Sequence, residues 1–167
     1  MRLGEKILSY IPGYRGYKQK ELRREADRII RTNVSNRLKE SKDFLKRSLK
    51  NPQLLSNIST ENIWLIESII NNLDRITQRI DKAIAGYSGF FDAIKVLEDK
   101  LDLIIKHDQA LIGMAENLKE KIKELMNIKI FSEEWKAKAN EILQYINEID
   151  DLINKRVEIL RGMVENA

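Results

Sequence analysis

The sequence predicts an all-α fold, a long antiparallel up-down-up-down four-helix bundle with coiled-coil-like seams, built as one domain. Three observations carry that expectation. Charged residues make up 34% and hydrophobic residues 43% of the 167 positions, a charge content well above the roughly 25% of an average soluble protein. Gly occurs 7 times and Pro twice, too sparsely for the frequent turns of a β fold. Apolar residues recur at alternating spacings of three and four in four long segments, which places them on one face of a helix.

The first 16 residues form an N-terminal segment and turn, ending in Pro12-Gly13-Tyr14-Arg15-Gly16. A first helix is predicted over about 17–50, with Leu22, Ala26, Ile29, Ile30, Val34, Leu38, Leu45 and Leu49 as its seam and Phe44 alongside. Asn51-Pro52 ends it, since proline cannot continue a helix. A second helix over 60–85 starts at Ser59 or Thr60, either of which can cap an orphan N–H. Its expected seam is Ile63, Ile66, Ile70, Leu73, Ile80 and Ile84, and Gly86 stops it. A third helix over 91–127 is the most regular, with Ile94, Leu97, Leu101, Ile104, Asp108, Leu111, Ala115, Leu118, Ile122 and Leu125. A fourth over 132–164 follows Ser132 as cap, with Glu133 and Glu134 where the helix dipole favours negative charge. Its seam is Trp135, Ala139, Ile142, Ile146, Ile149, Ile153, Arg156, Leu160 and Met163. Trp64 and Trp135 are both expected to fill the core near helix starts. Short connections imply that consecutive helices are antiparallel neighbours. The main competing architecture is a heptad-rich helix pair that dimerises into a bundle.

Composition removes much chemistry. The chain has no Cys, hence no disulfide, thiol nucleophile or iron–sulfur site. A single His rules out two-histidine zinc and ferritin-like di-iron sites. No phosphate-binding glycine loop and no nucleophile elbow occur. The expectation is a protein without enzymatic activity, cofactor or metal. No apolar run is long enough to span a membrane and Met1–Ile11 has no signal-peptide pattern, so the expected location is the cytoplasm. The abundance of Ile, Lys and Asn fits a prokaryotic source.

Three features carry functional expectations. Residues 1–50 hold a net charge of +9 and residues 51–167 a net charge of −5. The cations Lys18, Lys20, Arg23, Arg24, Arg28 and Arg31 are candidate phosphate contacts, on nucleic acid or anionic lipid. The opposing expectation is a solvated basic face neutralised by acidic helices beside it.

The second feature is a pair of related turns, Gly13-Tyr14-Arg15-Gly16-Tyr17 and Gly86-Tyr87-Ser88-Gly89-Phe90, 73 residues apart. Beyond these five positions the halves align poorly. In an up-down bundle both turns lie at the same end. Tyr14, Arg15, Tyr17, Tyr87, Phe90, Phe91 and Asp92 are therefore candidate partner-binding residues, against the alternative of a hydrophobic lid. The third is Asp108 and Arg156, two charges on otherwise apolar seams. Antiparallel pairing brings them within one turn, as a buried pair that fixes register. His107, beside Asp108, is expected at the surface.

Ile11-Pro12-Gly13-Tyr14-Arg15-Gly16-Tyr17-Lys18, continued by Lys20-Glu21, Arg23-Arg24 and Ala26-Asp27, together with Gly86-Tyr87-Ser88-Gly89-Phe90-Phe91-Asp92, resembles two motifs of a group of uncharacterised helical proteins of bacteria and archaea. The resemblance covers about 24 of the 167 residues. It implies a shared helical fold and a shared pole, and no activity. The leading expectation is a non-catalytic interaction or scaffold protein working through the aromatic pole and the basic first helix, with a protein partner or a second copy of the chain. The alternatives are a peripheral protein of anionic membranes, with Ile7, Leu8, Tyr10 and Ile11 in an apolar foot, and a non-specific nucleic-acid binder.

Overall fold

The structure, a computed structural model, describes residues 20–50, 58–82 and 98–164, with side chains described for 28–50, 58–82 and 106–159. Four helices make up the fold: α1 (Lys20–Ser48), α2 (Thr60–Lys82), α3 (Glu98–Asn127) and α4 (Glu133–Val164). At 1.5 Å per residue they are about 35–48 Å long. Their ends follow local chemistry. Ser59 Oγ accepts from the Asn62 N–H at 3.3 Å and Ser132 Oγ from the Trp135 N–H at 3.2 Å, each satisfying a first-turn donor that has no partner within its helix. The turn between α3 and α4 closes through Phe131, which holds the left-handed backbone region at φ 66°. A side chain there is unfavourable. Its ring meets Trp135 edge-on, with centroids 5.3 Å apart, a contact that offsets part of the strain.

Ion pairs between helices fix their directions. Lys39–Asp81 and Lys42–Asp74 run α1 against α2, and Lys121–Glu141 and Lys138–Glu124 run α3 against α4. Arg37–Glu116 and Lys119–Glu40 step forward together, so α1 and α3 are parallel. Lys136–Glu61 and Arg75–Asp150 do the same for α2 and α4. The sense is up-down-up-down, but the order around the bundle is α1, α2, α4, α3. The expectation that every consecutive pair is adjacent is corrected here: α2 and α3 sit across the diagonal. Residues 83–97 join them, and that is more chain than a turn between neighbours needs.

The core is one continuous column of Ile and Leu. On α4 it contains every expected seam residue from Trp135 to Arg156, and on α3 every one from Asp108 to Leu125. On α1 Ile30, Val34, Leu38, Leu45 and Leu49 are buried, with Ser41 filling the gap in the leucine series and donating to Arg37 O at 2.9 Å. The expected α2 seam needs correction. Leu65, Ile69, Leu73, Ile76 and Ile80 face the core, while Ile66 and Ile70 are half-buried and Ile63 is exposed. Trp64 is 60% exposed and does not fill the core. The side chains of Leu22, Ala26, Ile84, Ile94, Leu97, Leu101, Ile104, Leu160 and Met163 lie outside the described residues.

Candidate functional site

The two aromatic turns, with Tyr14, Arg15, Tyr17, Tyr87, Phe90, Phe91 and Asp92, lie outside the described residues, as does Lys18. The side chains of Lys20, Arg23 and Arg24 lie outside them too. What the structure supplies is the frame into which the turns lead. α1 and α3 are parallel neighbours, held by Arg37–Glu116 at 2.7 Å and Lys119–Glu40 at 2.8 Å. Their first residues therefore open at the same end of the bundle, side by side rather than across it.

The basic helix divides. Arg28 is exposed. Arg31 is 94% buried and acts on Asp81 of α2. This corrects its expected role, since a phosphate in solvent cannot reach a guanidinium folded into the bundle. Further along α1, cations meet carboxylates of the flanking helices: Lys39 to Asp81 at 3.0 Å, Lys42 to Asp74 at 2.5 Å and Arg37 to Glu116. Burial alone would raise the Asp81 pKa. The Ser35 hydroxyl, which approaches without closing a standard hydrogen bond, joins the Lys39 ammonium and Arg31 guanidinium in outweighing that effect. The net result is a carboxyl below its ordinary value. Lys119, hydrogen-bonded to Glu40, lowers that carboxyl too. The central part of α1 is thus largely neutralised by its neighbours. In the described part of α1, Arg28, Lys39, Lys46 and Arg47 have exposed side chains, as does Lys50 just after it.

Asp108 and Arg156 do meet. Arg156 Nε donates to Asp108 Oδ1 at 2.5 Å and Nη2 to Oδ2 at 3.0 Å, with side chains 5% and 2% exposed respectively. This is the side-on, two-bond geometry that suits guanidinium and carboxylate. His107 does not point freely to water: it is half-buried, with Nε2 2.8 Å from Leu152 O. A second buried carboxylate was not singled out by the sequence. Asp150 of α4 accepts from both Arg75, at 2.7 Å, and Arg79 of α2, and Arg79 also donates to Asn154 at 2.5 Å. The i,i+4 spacing of Arg75 with Arg79, matched by Asp150 with Asn154, was the available signal.

The described surface has open grooves rather than an enclosed cavity at these groups. One runs between α2 and α4 past Arg75, Arg79, Ile153 and Val157, and another lies beside the α3–α4 turn at Asn127, Ile128 and Glu134. Among the described residues no group of three or more metal-ligating side chains is gathered, and no helix is long and apolar enough to cross a membrane. Comparison with protein-family models, curated proteins and solved structures returns no match.

Proposed function

We propose that this is a non-catalytic interaction or scaffold protein whose working end is the pole where α1 and α3 begin. The observation that supports this reading most is the parallel, adjacent placement of those two helices. In the sequence Gly13–Tyr17 precedes α1 and Gly86–Phe90 lies between α2 and α3, a combination of Tyr, Phe and Arg suited to anchoring a partner. The described buried charges support the same reading. Asp108, Asp150 and Arg156 are engaged within the bundle, which fits a rigid support better than a reaction centre.

The test compares the full chain with Tyr14→Ala/Tyr87→Ala and with Arg23→Gln/Arg24→Gln/Arg28→Gln. Arg31 is left intact because it is buried. Each is assayed for capture of partners from the native source, for flotation with vesicles of phosphatidylserine and phosphatidylcholine, and for duplex and single-stranded DNA binding at low and moderate salt. A protein partner lost with the tyrosine pair is the expected result. Vesicle or DNA binding that disappears in the arginine variant and at moderate salt, with no effect of the tyrosines, would replace this reading with the phosphate-surface alternative.

A further inference from the structure

We infer that the groove between the C-terminal halves of α2 and α4 is a binding site for a small organic phosphate, an oxyanion head on a compact apolar body. The inference concerns the α2–α4 face and does not depend on what binds the pole.

The groove has a volume of about 580 Å³, within the roughly 300–1,000 Å³ of small-ligand sites. Arg75 and Arg79, one helical turn apart on α2, line it with the Lys82 ammonium, the Gln78 amide and the apolar side chains of Ile153 and Val157 from α4. The two guanidiniums converge on a single carboxylate. Asp150 accepts from Arg75 Nη1 at 2.7 Å and also from Arg79 Nη1. Arg75 Nη2 donates to Asn72 Oδ1 at 3.0 Å, and Arg79 Nη2 to Asn154 Oδ1 at 2.5 Å. A guanidinium carries five N–H donors, so each arginine keeps its Nε–H and one hydrogen on each terminal nitrogen for another acceptor. Their side chains are 47% and 36% exposed, and a ligand in the groove can reach them.

The charges of the groove do not balance. Asp150 offsets one guanidinium of the two. Lys82 is exposed, with no carboxylate at ion-pair distance among the described residues. Asp74, the carboxylate in the lining, is already held by Lys42 of α1 at 2.5 Å. Asp151, Lys155 and Glu158, exposed on α4, do not line the groove. The α2 C-terminus returns about half a negative charge. More than one positive charge is left over, among side chains whose uncommitted groups are mainly N–H donors.

That excess selects the ligand. Like charges one turn apart on a helix repel, and an oxyanion seated between them removes the repulsion. Guanidiniums bind such groups through paired, charge-assisted N–H bonds. A phosphate monoester brings three acceptor oxygens and about 1.5–2 negative charges at neutral pH, which matches the excess better than the single charge of a carboxylate. Half-buried Val157 and the edge of Ile153 give the carbon part of the ester an apolar surface to cover.

Titration of the full chain with phenyl phosphate at constant ionic strength tests this, followed by NMR through arginine Nε–H and backbone amide signals. Saturable shifts are expected at the Nε–H of Arg75 and Arg79 and at the amides of Lys82 and Val157, with Arg28 and Arg47 unmoved. Arg75→Gln leaves Asp150 paired to Arg79 and is expected to weaken binding about tenfold. Lys82→Gln breaks no described ion pair, so it tests the site with the bundle intact, and is expected to weaken binding about threefold. Lys46→Gln on α1 is expected to leave binding unchanged. Inorganic phosphate is expected to bind more weakly than the ester and to leave Val157 unmoved. Shifts that do not saturate, or that Arg28 and Arg47 share, overturn the inference, because they report general attraction to a basic protein. Equal affinity of wild type and Lys82→Gln overturns it as well, and inorganic phosphate bound as tightly as the ester overturns the assignment of an organic ligand.

Discussion

Removing Asp108 while keeping Arg156 should be far more damaging than removing both. The pair is 98% and 95% shielded at its side chains and joined by two bonds at 2.5 and 3.0 Å. Asp108→Leu leaves a guanidinium inside the bundle without its counter-charge, a change that typically costs about 3–5 kcal/mol. A domain of this kind has a total of about 5–15 kcal/mol, so about a fifth or more of the stability is at stake. For a chain of this length the midpoint of thermal unfolding should fall by about 6–20 °C. Asp108→Leu/Arg156→Leu removes the orphaned charge as well and should lie close to wild type or above it by about 1–4 kcal/mol. The assay is urea unfolding followed by far-UV circular dichroism, with Asp108→Leu, Arg156→Leu and the double variant compared as a cycle. An unchanged urea slope keeps the comparison on the native state. A double variant that loses the sum of the two single losses would refute this account of the pair, and so would single losses below about 1 kcal/mol.

The two tryptophans should behave as opposites: Trp135→Ala is expected to cost about 3–5 kcal/mol, and Trp64→Ala less than about 0.5 kcal/mol. Acrylamide should quench Trp64 fluorescence in the Trp135→Phe variant and leave Trp135 largely shielded in Trp64→Phe, and equal quenching would contradict their burial. Ser132→Ala should lower stability by about 1 kcal/mol through loss of the α4 cap, with a comparable loss for Ser59→Ala at α2; a urea midpoint unchanged in both would show that water replaces the hydroxyls without loss. Asp81, Glu40 and Glu141 have folded pKa values below their ordinary ones. Their stabilisation is therefore present above the unfolded carboxylate range and lost as pH falls below about 4.5 through the folded values. Asp81→Asn should flatten part of that acid limb, and a profile identical to wild type would remove Asp81 from the explanation.

The fold was legible wherever one apolar stripe stood alone. On α4 the three- and four-residue spacing admits a single seam, and the buried residues follow it from Trp135 to Arg156. On α2 two stripes compete, Ile63–Ile66–Ile70 and Leu65–Ile69–Leu73–Ile76–Ile80, and spacing alone does not say which faces inward. The longer one does, and the shorter is left at the flank, with Trp64 turned to water. Asp108 and Arg156 stood out because a charge interrupts an apolar series. Arg31 and Asp150 did not, because each sits among other polar residues and reads as surface until the neighbouring helices are in place. The ring order was also hidden, since helix lengths and caps are the same whether α3 lies beside α2 or across from it. The aromatic turns, which carry the functional reading, lie outside the described residues.

The placement of α3 beside α1 gives the bundle's ends an uneven electrostatic character. In a ring of alternating directions each helix dipole is flanked by two opposed ones, and the partial charges at an end interleave. Here α1 lies parallel to α3 and α2 parallel to α4, so each end is split down the middle. One side carries two helix N-termini, each equivalent to about +0.5 of a charge, and the other two C-termini at about −0.5. Parallel neighbours repel along their length. The pairs Arg37–Glu116, Lys119–Glu40, Arg75–Asp150 and Lys136–Glu61 sit on those two seams, where opposite side-chain charges counter that repulsion. A molecule approaching either end meets a surface with a built-in polarity across its width, and an elongated partner with charge at one tip has one preferred way round to sit on it.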